Sequence, residues 1–415
     1  MQPRRPWQGR RVVLGVTGGI AAYKSIQLAR DLTLLGSQVD VVMTEAARRF
    51  VGPLSFEGVT GRRVARSLWS ADGSALHLSL GRDAHLFVVA PATADFLARA
   101  AHGRADDLLT TVLLATRAPV LLAPAMNHRM WDHPQTGANV QHCRDRLGYH
   151  ILGPHEGRLG AGEGSGMGRM VEPSHIVEWC GRLLSGRTGS LSGRSVLVTA
   201  GPTREPLDPV RFLGNRSSGR MGFSVAREAW LRGADVTLVS GPSSLPDPVG
   251  IRVIRVETAR DMLGAVEAHV ASAQIVVYAA AVADYRPMKP ASRKTRKSHT
   301  GDRLTVELGV NPDIAAETAS LTPAGGIRVG FALETDDLLE RAGEKLRAKG
   351  FDLIVANPAG EDDAGFDVDT NRVTILDRHG GTQDLPLLLK DEVAGRILDR
   401  VESLLEGGMA SGAAL

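Results

Sequence analysis

The sequence predicts an α/β protein built from two doubly wound, Rossmann-like domains. Three observations carry this. The chain has 415 residues, more than one ordinary domain holds and suited to two of about 200. Two β-branched runs, Arg11–Val16 and Arg194–Thr199, each lead into a turn containing Gly, as the first strand of an α/β domain does. Further apolar runs alternate with helical patterns, and such alternation implies a parallel sheet covered by helices.

In the first half, strands are expected at 11–16, 38–43, 86–90 and 120–123, with helices at about 20–35, 93–117 and 129–148. In the second half, strands are expected at 194–199, 235–239, 251–256, 274–280, 327–332 and 352–356. Helices lie near 219–232, 258–272 and 335–349; a β-like piece at 372–377 and a helix from about 390 to 405 close the domain. Gly181–Gly193 is rich in Gly and Ser and marks a boundary. The expected organisation is a domain over 1–185, a linker over 186–193, a domain over 194–405 and a disordered tail over 406–415.

Composition excludes several classes. Forty-nine Lys and Arg against 46 Asp and Glu leave a net charge of +3, too weak to make nucleic acid the main partner. No run approaches the ~18 apolar residues of a membrane span. The basic start lacks the apolar stretch of a signal peptide. Cys143 and Cys180 make no disulfide framework, and no four-ligand zinc cluster exists, so a reducing cytoplasm is expected. The 47 glycines exceed the typical ~7%.

Many of those glycines sit at strand exits. Thr17-Gly18-Gly19-Ile20-Ala21-Ala22 joins the first strand to the first helix, where small residues let backbone N–H groups approach a phosphate; a tight strand–helix turn explains it equally well. Pro91-Ala92-Thr93-Ala94-Asp95 and Pro124-Ala125-Met126-Asn127 end two more strands. Carboxyl ends of parallel strands are where open α/β sheets bind ligands, so these exits read as walls of one crevice. His77, in an apolar setting, is a candidate base or a structural imidazole.

These elements, with Thr44-Glu-Ala-Ala-Arg-Arg-Phe50 and His77-x-x-Leu-Gly-Arg82, resemble the flavin-dependent cysteine decarboxylases over about 10–180. The likeness is specifically to phosphopantothenoylcysteine decarboxylase. It implies FMN held at Gly18, Gly19 and Ala21, near Thr44 and the loop Pro91, Ala92 and Thr93. It makes His77 the base and Asn127 the ligand of the substrate carboxylate. A flavin suits the chemistry, because direct loss of CO2 from an acylated cysteine leaves an unstabilised carbanion, and prior oxidation of the thiol supplies an electron sink. One departure stands out. The family carries a proton-donating Cys shortly before a Gly-Arg-Met segment, and here that position falls on Ala161 or Gly162, beside Glu163. The Gly-rich stretch 159–170 reads as a flap or an inert loop.

In the second half, Arg211-Phe-Leu-Gly-Asn215-Arg-Ser217-Ser218-Gly219 leads into a helix whose N-terminus offers hydroxyls and N–H groups to an anion. Asp284 ends an apolar strand and could hold Mg2+ beside phosphates, or simply cap a loop. The basic run Lys289–His299 reads as a solvated loop or as a lid over a triphosphate.

With Gly201-Pro-Thr-Arg-Glu-Pro-Leu-Asp208, Asn311-Pro-Asp313-Ile and Gly330-Phe331-Ala-x-Glu334-Thr335, these motifs resemble bacterial phosphopantothenate–cysteine ligase over about 192–405. The likeness implies that CTP activates 4'-phosphopantothenate as an acyl-cytidylate, which the amine of L-cysteine attacks. Asn215 and Arg211 then handle the acyl intermediate and Lys294 serves the cysteine step. Ser217, Phe331, Lys345 and Lys349 bind nucleotide, and Asp284 holds Mg2+ or Mn2+. The two likenesses together imply an N-terminal flavoprotein of the decarboxylase type and a C-terminal ligase that makes its substrate. They also imply a homo-oligomer, trimer-based and up to a dodecamer, with ligase dimers. A first half that is a non-catalytic flavoprotein regulator, and an NAD(P)-dependent oxidoreductase of two Rossmann domains, are the rival readings; the latter lacks the G-x-G-x-x-G fingerprint.

Overall fold

The structure is a computed structural model that describes residues 6–69, 75–162, 164–185, 189–295, 303–334, 337–358 and 368–412, with side chains through 406. The chain separates into two compact units, Met1–Gly186 and Arg187–Leu415.

The first unit is a five-stranded parallel sheet in the order β2-β1-β3-β4-β5. Its strands are β1 (Arg11–Val16), β2 (Gln38–Met43), β3 (Leu86–Ala92), β4 (Val120–Pro124) and the short β5 (His150–Ile151). Side chains alternate across the sheet, so Val12, Leu14 and Val16 enter one core layer and Val13, Phe87 and Val89 the other. Helices α1 (Lys24–Leu34), α2 (Pro53–Thr60), α3 (Leu76–Asp83), α4 (Ala94–Ala101) and α5 (Leu108–Ala115) come before β4; α6 (His128–Trp131) and α7 (Pro134–Asp145) follow it. The helix expected over 93–117 is therefore two helices. Gly103 takes the left-handed conformation that ends α4, and Asp107 opens α5 by exchanging hydrogen bonds with Thr110. The helix expected over 129–148 breaks at His133-Pro134, where Pro fits a first turn better than an interior. A hairpin of β6 (His155–Arg158) and β7 (Ser165–Arg169), then α8 (Pro173–Ser185), complete the unit.

The second unit is an eight-stranded sheet in the order β12-β11-β8-β13-β16-β17-β18-β19. Strands β8 (Ser195–Ala200), β11 (Asp235–Ser240), β12 (Arg252–Arg255), β13 (Ile275–Tyr278), β16 (Ile327–Glu334) and β17 (Leu353–Pro358) are parallel. β18 (Thr370–Asp377) and β19 (Thr382–Leu389) extend the edge antiparallel. Two small hairpins lie outside this sheet: β9 (Arg204–Pro206) with β10 (Phe212–Gly214), and β14 (Tyr285–Pro287) with β15 (Leu308–Val310). Among the described residues the α-helices are α9 (Arg220–Leu231), α10 (Ala259–Val270), α11 (Ile314–Glu317), α12 (Leu338–Ala348) and α13 (Lys390–Gly412). The tail expected to be disordered from 406 is instead helical to Gly412. Val393, Ala394, Ile397, Leu398, Val401 and Leu404 bury one face of α13, and a helix anchored this way propagates at little cost.

Candidate active sites

In each unit the strand order reverses beside the first strand, between β1 and β3 and between β8 and β13. A threonine bridges each reversal. Thr17 Oγ1 donates to the Pro91 carbonyl at 2.7 Å and accepts from Thr93 N–H at 3.2 Å. Thr199 Oγ1 accepts from Ala280 N–H at 3.2 Å. A cavity opens above each bridge, where the fold places ligands.

The cavity of the first unit measures about 1120 Å³. Gly18, Gly19, Ala21, Thr44, Thr93 and Asn127 line it. A Cβ on Gly18 would sit 2.4 Å from Ala46 Cβ, so only glycine lets the turn after β1 pack on the turn after β2. Gly19 opens the 3-10 turn Ile20–Tyr23, and no side chain caps it, so its first N–H groups have no intrahelical acceptor. Thr93 caps α4 by accepting from Phe96 N–H, and Asn127 Oδ1 accepts from Arg129 N–H at 2.9 Å. Opposite, the β6–β7 hairpin contributes Arg158, Leu159, Gly160, Gly168 and Arg169. Met126 N–H donates to the Gly168 carbonyl at 3.0 Å, and a Cβ on Gly168 would stand 2.1 Å from the Met126 carbonyl oxygen. Lys24 and Arg169 both pair with Glu172, and the Lys24 hydrogen bond holds that carboxyl below its ordinary value.

Other expected residues fall elsewhere. Pro91 and Ala92 do not line the cavity: the Pro91 carbonyl receives the Thr17 hydroxyl, and Ala92 is fully buried. His77 is half-buried on α3 and does not line it either. Cys143 is packed in the core, its Sγ 3.9 Å from the Leu97 carbonyl, and desolvation pushes its thiol up to about 11. At the hairpin tip Ala161 and Gly162 are exposed, with open space around the position of a Gly162 Cβ; Glu163 lies outside the described residues.

The cavity of the second unit measures about 580 Å³ and gathers Asn215, Ser217, Asp284, Phe331, Lys345 and Lys349. Asn215 Nδ2 donates to the Ala281 and Val282 carbonyls, both at 3.1 Å. Gly219 opens α9 at φ 84°, and a Cβ there would lie 3.1 Å from Gly201 Cα, so glycine fits both the conformation and the space. Lys345 Nζ donates to the Phe331 carbonyl at 2.8 Å. Lys349 pairs with Asp313 at 2.9 Å, and Asp313 caps α11 by accepting from Ala316 N–H. Burial raises the Asp313 carboxyl, but Lys349 and that N–H outweigh it and leave a net lowering.

Arg211 and Lys294 do not line this cavity. Arg211 grips the buried Asp208 through Nε at 3.0 Å and Nη2 at 2.5 Å, and Nη2 also donates to the Thr295 carbonyl. Asp208 accepts from the N–H groups of Val210, Arg211 and Thr295 as well. The Arg211 hydrogen bond first, and these N–H groups next, hold its carboxyl well below the usual range. Arg211 thus fastens the segment that carries the exposed Lys294. Among the described residues no group of three His, Cys, Asp or Glu could hold a metal, so Asp284 is a single carboxylate donor.

Sequence reasoning missed Asn371 and Lys390, which also line the cavity; Lys390 Nζ donates to the Val368 carbonyl at 2.5 Å. A signal existed for Lys390. A lysine as the first residue of a helix opposes the helix dipole and asks for another reason to be there.

The architecture and its two switch-point cavities define a class: a flavoprotein-type α/β unit followed by a second doubly wound unit with its own small-molecule site. The Flavoprotein family model matches residues 1–185, and the DNA/pantothenate metabolism flavoprotein C-terminal domain model matches 191–405. A coenzyme A biosynthesis bifunctional protein CoaBC from Vibrio cholerae is 46% identical over 94% of this chain and 97% of its own. Its counterpart from Mycobacterium tuberculosis is 46% identical over 96% and 97%. A crystal structure of the C-terminal domain of a CoaBC protein is 41% identical, covers 53% of this chain and 99% of its own, and gives a TM-score of 0.45. The chain belongs to the family of coenzyme A biosynthesis bifunctional proteins, and is an enzyme with two activities, a decarboxylase and a ligase. Among its described residues no helix is long and apolar enough to cross a membrane.

Proposed function

We propose that the second unit joins 4'-phosphopantothenate to L-cysteine with CTP, and that the first unit decarboxylates the product to 4'-phosphopantetheine with FMN, both in the cytoplasm. The observation that carries this is the gathering of both motif sets: the residues at four strand exits meet in one cavity, and Asn215, Asp284, Phe331, Lys345 and Lys349 meet in the other.

In the ligase, the phosphopantothenate carboxylate attacks the α-phosphorus of CTP and pyrophosphate leaves. The cysteine amine then attacks the acyl carbon and CMP leaves. Asn215, oriented by two carbonyls, meets the acyl group. Ser217, Lys345 and Lys349 receive the nucleotide, and Asp284 takes Mg2+ or Mn2+ together with the phosphates. Lys294, on the segment fastened by Arg211, serves the cysteine step.

The first cavity fits FMN. Gly18 brings two turns together, the uncapped turn at Gly19 suits a phosphate, and Thr44 and Thr93 line the same cavity. Gly18, Gly19, Thr44 and Thr93 would hold the flavin, which would supply the redox chemistry that gives the decarboxylation its electron sink. Asn127 binds the departing carboxylate, held at the strand exit by the helix it caps. His77 lies away from its own chain's cavity and serves as the base in a neighbouring subunit's site, within a trimer-based assembly that extends up to a dodecamer through ligase dimers. Exposed Ile20 and Tyr23 on the cavity rim support that assembly.

One incubation tests both halves. With 4'-phosphopantothenate, cysteine, CTP and Mg2+, mass spectrometry should find CMP and 4'-phosphopantetheine. Absence of CMP refutes the ligase assignment. CMP and phosphopantothenoylcysteine without release of CO2 refute the decarboxylase and favour a non-catalytic flavoprotein.

A further inference from the structure

Arg328 sits in β16, a strand with sheet neighbours on both sides, where apolar residues are expected. It is 6% exposed. Among the described residues no carboxylate pairs with its guanidinium: Asp352 accepts from its backbone N–H at 2.7 Å and pairs instead with Arg378. A buried cation without a counter-ion is costly unless its donors are satisfied and its place is used. Here Nη1 donates to the carbonyls of Lys349 at 2.6 Å and Gly350 at 3.2 Å and Nη2 donates to the Ala315 carbonyl, while the buried Nε finds no acceptor. The planar head lies 5.6 Å from the Tyr278 ring and 5.3 Å from the Phe351 ring. Glycine at 330 makes room for this, since a Cβ there would stand 2.3 Å from the Phe351 ring.

Tyr278, Ala315, Lys349 and Phe351 all line the second cavity, whereas Arg328 does not. One side chain behind the wall therefore holds four pieces of it. We infer that Arg328 is a positioning residue of the nucleotide site: it binds the ends of α11 and α12 to each other and fixes the height of Lys349 above the cavity. Lys349 closes α12, so the cation also meets the negative end of that helix dipole. A lysine could not replace it, because only the guanidinium fork reaches three carbonyls while lying within cation–π range of two rings. The inference rests on the reading of this cavity as the CTP site.

The test uses the full chain. Arg328→Met should raise the KM for CTP about tenfold, about 1.4 kcal/mol, while the KM for cysteine and kcat move by about twofold or less. Arg328→Lys should raise the KM for CTP several-fold with the same split. Flavin content of the same preparations reports on the first unit. If Arg328→Met does not accumulate as folded protein, Arg328→Lys decides alone. An unchanged KM for CTP, or an equal rise in the KM values for CTP and cysteine, overturns the inference and leaves the ligase assignment standing. A wild-type chain that releases no CMP from CTP sinks both.

Discussion

Replacing Gly168 with alanine should disable the decarboxylase and spare the ligase. The added Cβ would stand 2.1 Å from the Met126 carbonyl oxygen, and both partners are backbone. Real contacts of this kind do not fall below 3.0 Å, so β7 and the loop after β4 must part by about 1 Å. That movement stretches the Met126 N–H bond to the Gly168 carbonyl and shifts Asn127, the next residue, by a similar amount. Overpacking of this kind costs about 1–3 kcal/mol of stability, which a unit of this size tolerates. If Asn127 binds the substrate carboxylate as proposed, misplacing it by about 1 Å costs on the order of 10²-fold in rate. The assay is CO2 release from phosphopantothenoylcysteine, with CMP release by the same chain as the internal standard. Gly137→Ala is the control, because its Cβ meets nothing within 4 Å on a helix of the same unit. A Gly168→Ala chain that decarboxylates at the wild-type rate refutes the claim that the hairpin sets the position of Asn127.

Other consequences are open to measurement. Asp208 has a lowered carboxyl value in the fold, so its stabilisation is complete above the ordinary value of about 4 and disappears as pH falls through the depressed one. Denaturant unfolding of the second unit should accordingly lose stability toward acid, and Asp208→Asn should flatten that part of the curve; a curve of unchanged slope counts against it. Lys294→Ala should slow amide formation more than pyrophosphate release in a rapid-quench assay, and equal slowing would remove Lys294 from the cysteine step. Cys143, buried with a thiol pushed up to about 11, should resist thiol reagents at pH 8 until the chain unfolds, and prompt labelling of the native protein would contradict its packing.

Much of the fold could be read because its strands are buried runs of Val, Ile and Leu separated by helices, a pattern that few architectures satisfy. β1, β2, β8 and β11 fall within a residue of expectation for that reason. The hairpin of β6 and β7 could not be read. Its glycines erase side-chain alternation, and its place is set by close approach to Met126, a contact distant in sequence. Site residues on strand exits were legible because the doubly wound fold assigns ligands to those positions. Asn371 and Lys390 were not, since they reach the cavity only through the antiparallel extension of the sheet by β18 and β19. The departure of Arg211 and Lys294 from the cavity follows from Asp208, a carboxylate whose importance shows only once its five hydrogen bonds are seen. Arg328 falls inside the strand expected at 327–332, and its meaning needs the rings and carbonyls around it.

The threonine bridges at Thr17 and Thr199 have one more implication. At each reversal the connections of the two neighbouring strands leave in opposite directions, and a ligand seats in the crevice between them. In both units a hydroxyl stitches the divergence shut beneath the cavity floor. Binding energy is then not consumed in prising strands apart or in ordering them afterwards. The floor of each cavity is thus tied side chain to backbone at the reversal, before any ligand arrives.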